Sequence, residues 1–126
     1  MACLTEVQMR YLVIMYEIAQ SGHEIHSANI AQRMHVTKPA VAKMLSTLRE
    51  KGLVAKEPYG TASFTREGYR VAQQLQARID EIRARLSEAD FGLTAEELRE
   101  VSRDMAIRLA QLRQTTGYAL GEMMVG

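Results

Sequence analysis

The chain has little of what staples or anchors a protein. It contains one cysteine, Cys3, no tryptophan, two phenylalanines and two prolines in 126 residues. A lone cysteine excludes an intrachain disulfide and a cysteine-built zinc site, and it is compatible with a reducing compartment. No basic neighbour before Arg10 marks Cys3 as a reactive thiol. It reads as a bystander near the start of the chain. The longest apolar run near the start, Tyr11 to Tyr16, is far too short to cross a bilayer. The first ten residues lack the basic and apolar segments of a secretion signal, so a cytoplasmic location is expected. Strong charge is absent too. The net charge is +1, which leaves no global basic field, so any surface for nucleic acid must be local. There is no glycine loop to cradle phosphate and no metal-ligand spacing, and the histidines of the polar loop have no plausible nucleophile partner. An enzyme is therefore the weakest reading, and no catalytic residue, cofactor or bound metal is expected.

What is present is an aliphatic, helix-rich sequence. Apolar residues make up 47% and charged residues 25%, an ordinary globular balance, and the length suffices to bury a core. The pattern predicts a mainly α fold with five helices and one β-hairpin. Thr5 and Gln8 spell a capping box, and Val7, Tyr11, Ile14 and Ile18 recur on one helical face. Ser27 is expected to cap a short second helix, Ala28 to Met34, burying Ile30, Ala31 and Met34. After a tight turn at His35-Val36, Thr37 caps a third helix with Pro39 in its first turn. Its buried stripe is Val41, Met44, Leu45 and Leu48, and Gly52 ends it. The period then changes. Leu53 to Lys56 reads as a strand, Pro58-Tyr59-Gly60 as a turn, and Thr61 to Phe64 as the return strand.

Two long helices follow. Thr65 caps the first, Arg66 to about Glu88, whose stripe is Val71, Leu75, Ile79, Ile82 and Leu86. A break spans Asp90 to Leu93. Thr94 and Glu97 form a second capping box, opening a fifth helix with Leu98, Val101, Met105, Leu109 and Leu112 expected to face inward. From Gly117 a tail rich in glycine and methionine, including Met123 and Met124, is left without assigned structure. The expected organisation is a winged helix-turn-helix domain over residues 1–65, a helical dimerisation region over 66–116 and a tail over 117–126.

A short helix, a tight turn and a helix opening on small and polar residues is the order of a helix-turn-helix. In that motif the second helix enters the major groove, which is about 12 Å wide. Here Thr37, Pro39, Ala40 and Lys43 would face base edges, while Arg33, Lys38, Lys56 and Thr61 would hold phosphates. Charge supports the assignment: between residues 33 and 56 lie six cations against Glu50 alone, a local +5 within 24 residues. Lys51 and Arg49 read as solvated charges at the far end of the helix. Tyr59, at the tip of the hairpin, either touches DNA or packs the turn. His23, Glu24 and His26 form a polar loop better explained by solvation than by a metal ion.

These runs carry a resemblance. Ile30-Ala31-Gln32-Arg33-Met34, Val36-Thr37-Lys38-Pro39-Ala40-Val41, Leu48-Arg49-Glu50-Lys51-Gly52-Leu53-Val54 and Phe64-Thr65-Arg66-Glu67-Gly68 resemble the winged-helix consensus of bacterial regulators. The short wing is similar to that of the iron- and manganese-dependent repressors, the diphtheria toxin repressor family. The opening Leu4-Thr5-Glu6-Val7-Gln8 and the late Gly92-Leu93-Thr94-Ala95-Glu96-Glu97-Leu98 are similar to the MarR family. The metal-repressor resemblance implies ligands from the first helix, the helix after the wing and the helix after that. By position they fall on Met9, Leu12, Ile79, Arg103, Ala106 and Ile107. Only Met9 has a donor atom, and a thioether suits iron or manganese poorly. The resemblance thus implies the fold and DNA binding while the metal ligands are missing.

Two long amphipathic helices exceed what a small winged domain can cover. A homodimer is expected, its stripe drawn from both helices, matching a palindromic operator. The reading is a DNA-binding transcriptional regulator, a repressor by resemblance. Two alternatives stay open: a winged-helix protein-interaction module that does not read DNA, and a MarR-like repressor answering a small molecule. Double-stranded DNA and a second copy are the expected partners, with no membrane.

Overall fold

Side-chain caps decide where the helices begin. The computed structural model describes residues 3–56 and 60–115. In chain order its elements are α1 (Glu6–Gln20), β1 (Ile25–His26), α2 (Ser27–Met34), α3 (Lys38–Glu50), β2 (Val54–Lys56), β3 (Thr61–Phe64), α4 (Arg66–Ala89) and α5 (Ala95–Thr115). At α1 the Gln8 amide donates to Thr5 Oγ1 at 3.1 Å and the Thr5 amide donates back to Gln8 Oε1 at 3.0 Å. The same reciprocal pair joins Thr94 and Glu97 ahead of α5. Helix α2 departs from expectation. His26 is its cap residue and Ser27 already lies in the helix, because Asn29 Oδ1 accepts the His26 amide at 2.9 Å.

Thr65 makes the closest tie between helices and wing. Its Oγ1 accepts from the Gly68 amide at 3.0 Å and its hydroxyl donates to the Gly52 carbonyl at 2.6 Å. Its own amide donates to the Leu53 carbonyl at 3.1 Å. One residue thus starts α4 and holds it to the turn that ends α3. Thr65→Ala removes both side-chain bonds, so a loss of about 1–2 kcal/mol is expected. Chemical denaturation at unchanged m-value checks it.

The sheet has three antiparallel strands in the order β1-β3-β2. Lys56 pairs with Ala62, Ala55 with Ser63 and Val54 with Phe64 across the hairpin. Strand β1 was not expected: it pairs Ile25 with Ala62 and His26 with Thr61. Two residues are too few to show an alternating pattern, so tertiary pairing alone makes this strand. The Ser27 amide also donates to the Gly60 carbonyl at 3.1 Å, tying the start of α2 to the hairpin.

Helix α1 runs through the centre of the core. Met9, Leu12, Val13 and Met15 are fully buried beside Tyr11, Ile14 and Ile18. Val7, expected on the buried face, is 51% exposed, because the helix buries residues from Gln8 onward. Two further corrections concern the long helices. Val71, Leu75 and Ile79 of α4 are at most 1% exposed and belong to the core of the chain itself. They are therefore not available to a second copy. Helix α5 is rotated from the expected orientation. It buries Ser102, Arg103, Ala106, Ile107 and Ala110. The small side chains at 102, 106 and 110 let it lie close to its neighbours, and Arg103 is accommodated by an ion pair. The larger stripe Leu98, Val101, Met105, Leu109 and Leu112 is turned outward, with Val101 38%, Met105 41% and Leu112 43% exposed. No helix among the described residues is long and apolar enough to cross a membrane.

Candidate nucleic-acid interface

Helix α3 is amphipathic in the manner its sequence dictates. Val41, Leu45 and Leu48 are buried, which fixes the opposite side outward. Thr37, Lys38, Pro39, Ala40 and Lys43 are all exposed, as are Ala42 and Arg49. Thr37 serves the helix itself: its Oγ1 accepts the Ala40 amide at 3.2 Å. The turn before it is held by His35 in the left-handed region, with φ 58°. The His35 amide donates to the Ala31 carbonyl, as does the Val36 amide at 3.1 Å. The first turn of α3 is thereby left exposed, with its amide end toward solvent.

The cations divide into two groups. Arg33 is not free to meet a phosphate as expected, because its guanidinium is paired with Glu17 of α1. Lys51 donates to the Cys3 carbonyl at 2.9 Å, so it anchors the N-terminal segment. By contrast, Lys38, Lys43 and Arg49 have no ion-pair partner among the described residues and are exposed. Lys38 and Lys43 lie near the start of α3 and Arg49 in its last turn. Of Lys56, the backbone ends β2 opposite Ala62, and its side chain lies outside the described residues, as do Glu57, Pro58 and Tyr59. The tail expected over 117–126 lies outside them too.

Thr61 opens β3 beside His26, half-buried and next to the start of α2. The base of the hairpin is propped by aromatic contacts. Phe64 and Tyr69 meet edge-on at 6.2 Å between ring centres, and Tyr16 lies 5.8 Å from Tyr69. Burial first, and then the neighbouring Tyr69, pushes the Tyr16 phenol above its ordinary value, so this prop stays uncharged near neutrality. Sequence reasoning passed over Ser46. It is half-buried and stands three residues after Lys43 and seven after Pro39, a position that the helical period alone places on the outer stripe.

The polar loop does not gather its side chains. His26 Nε2 is 3.2 Å from Glu24, while His23 Nδ1 bonds Ser21 Oγ at 3.0 Å. Among the described residues no three of His, Cys, Asp and Glu stand close enough to hold a metal ion.

Comparison with known proteins agrees with this geometry. Residues 3–62 match the family described as iron dependent repressor, N-terminal DNA binding domain. The chain is 31% identical over 68 residues to the transcriptional regulator MntR of Escherichia coli, covering 54% of this chain and 44% of that one. Among solved structures, the manganese regulator SloR superposes with a TM-score of 0.65 at 26% identity, over 89% of this chain and 54% of SloR. IdeR of T. acidophilum gives a TM-score of 0.67 at 21% identity, over 84% of this chain and 48% of its own, a likeness of fold. The chain spans about half the length of these relatives. It is a winged helix-turn-helix protein that resembles the metal-dependent repressors, and of the two resemblances read from its sequence the matched family supports this one.

Proposed function

We propose that this chain is a cytoplasmic, homodimeric transcriptional regulator, a repressor, that reads double-stranded DNA with α3. The observation carrying the proposal is the exposed first half of α3, where Lys38 and Lys43 stand without ion-pair partners among the described residues, on a winged scaffold. Pro39, Ala40, Lys43 and Ser46 face base edges, Lys38 and the amide end of α3 take phosphate, and Thr61 and Lys56 bring the wing to the adjacent backbone. The winged part comprises residues 1–65, completed by the first half of α4. The dimer forms through the outer stripe of α5, with Ile82 and Leu86, half-buried on α4, beside it. No chemistry of an enzyme is assigned to it.

The test is a binding titration on mixed-sequence duplex across a salt series. Affinity is expected to fall steeply with salt, as counterion release requires. No binding at low salt would favour a protein-interaction module instead. On a selected operator, Lys43→Ala is expected to weaken binding by about 1–3 kcal/mol and to relax the preference at the base it contacts. Unchanged affinity and unchanged preference would remove Lys43 from the reading surface.

A further inference from the structure

The metal-dependent repressors that this chain resembles imply a metal ion held between the first helix, the helix after the wing and the next one. The residues here do not fit one. Met9, Leu12, Ile79, Ala106 and Ile107, which stand where that resemblance puts ligands, are at most 1% exposed and pack into one continuous core. Four of the five are hydrocarbon, and a lone thioether cannot hold iron or manganese. The sixth position, Arg103, carries a permanent positive charge.

Arg103 is also the most buried cation of α5, with its side chain 7% exposed. Its Nη2 lies 2.8 Å from Glu17 Oε2 and 3.0 Å from Oε1, and its Nη1 is 3.4 Å from Glu100. Glu17, on α1, is at the same time the partner of Arg33 on α2. One carboxylate therefore joins α5 to the helix-turn-helix through two guanidinium groups. Further polar contacts cross the same seam beside its apolar core. Arg10 pairs with Asp104 at 2.8 Å and Arg108 with Glu6 at 2.9 Å. Gln114 exchanges two hydrogen bonds with the backbone of Leu4, at 2.7 and 3.0 Å.

We propose that this chain holds its DNA-binding geometry without a regulatory metal, because the Arg103–Glu17–Arg33 bridge fixes α5 to the winged half, with Arg103 standing at one of the positions where the resemblance calls for a metal ligand. Glu17 is the positioning residue. It touches no DNA, but it sets the angle between the reading helices and the dimer face on α5. The proposal rests on the DNA-binding reading above.

The experiment uses the full chain and has two arms. The first is thermal melting without DNA, with EDTA, Mn²⁺ or Fe²⁺ (under anaerobic conditions), beside a duplex titration in the same buffers. An unchanged midpoint and an unchanged affinity are expected. A saturable rise in midpoint, or binding that tightens about tenfold with either ion, would overturn the proposal. Because melting reads metal binding without DNA, a metal requirement is told apart from a failure to bind DNA at all. The second arm compares Arg103→Met with Arg33→Met. Arg103→Met is expected to weaken duplex binding about tenfold with the salt slope intact, and wild-type affinity in the folded variant would overturn the bridge. Arg33→Met, which leaves the Arg103–Glu17 pair in place, covers the case in which Arg103→Met does not fold. A loss of affinity at unchanged salt slope supports the bridge, whereas a slope lower by about one would make Arg33 a phosphate contact and overturn it.

Discussion

Gly68→Ala is expected to destabilise the chain by about 3 kcal/mol or more, beyond the usual cost of one extra methyl group in a packed site. A Cβ at Gly68 would lie 1.8 Å from the Leu53 carbonyl oxygen, 2.7 Å from its carbon and 3.1 Å from its Cα. The obstacle is backbone, and it is held on both sides. The Leu53 carbonyl accepts the Thr65 amide, and the Leu53 amide donates to the Leu48 carbonyl at 3.0 Å. Relief therefore requires α4 to withdraw from the turn after α3. That movement would open the packing of Val71, Ala72 and Leu75, which are at most 1% exposed, and it would shift the base of the wing. Urea denaturation reads the loss as a lower midpoint at constant m-value. A wild-type midpoint would mean that α4 does not start against Leu53.

Met105→Asp is expected to separate the dimer and to weaken operator binding about a hundredfold, the scale on which a second tethered half-site adds to affinity. Met105 sits in the middle of the outward stripe of α5, flanked by Val101 and Leu109. Three exposed apolar side chains on one helix face, with Leu98 and Leu109 half-buried in the same row, form a patch of the kind that a second copy covers. At 41% exposed, Met105 supports little within its own chain, so the substitution leaves the protomer fold in place while setting a carboxylate into the interface. Sedimentation equilibrium beside the binding titration checks both halves. A dimer that persists in the variant would place the twofold contact elsewhere.

Much of this was legible because local chemistry decided it. Thr5, Thr37, Thr65 and Thr94 each start a helix where a hydroxyl oxygen can take a free amide, and all four do so. The change from helical to alternating period after Gly52 placed the hairpin. The outward side of α3 followed from Val41, Leu45 and Leu48. Where long-range packing decides, the same reasoning stopped short. Strand β1 exists only through its pairing with β3. Helix α5 has two candidate faces, and the sequence favours the larger side chains for the core. The fold instead buries Ser102, Ala106 and Ala110, since small residues allow close approach, and leaves Val101 and Met105 outside. The whole α4 stripe reads as a partner face for the same reason, although Val71, Leu75 and Ile79 complete the chain's own core. Arg33 looked like a phosphate contact because its neighbours are basic. Its partner Glu17 is sixteen residues away on α1, too far for a local charge count to register.

The central claim, a winged-helix dimer that reads DNA with α3 and needs no metal for it, is tested most directly by selecting bound sequences from a random duplex pool in EDTA. The account predicts enrichment of a twofold-symmetric site, with half-sites about one helical turn, or about 34–36 Å, apart or a multiple of it, and the same site when Mn²⁺ is supplied. A pool that stays random in EDTA and converges only with added metal would contradict it.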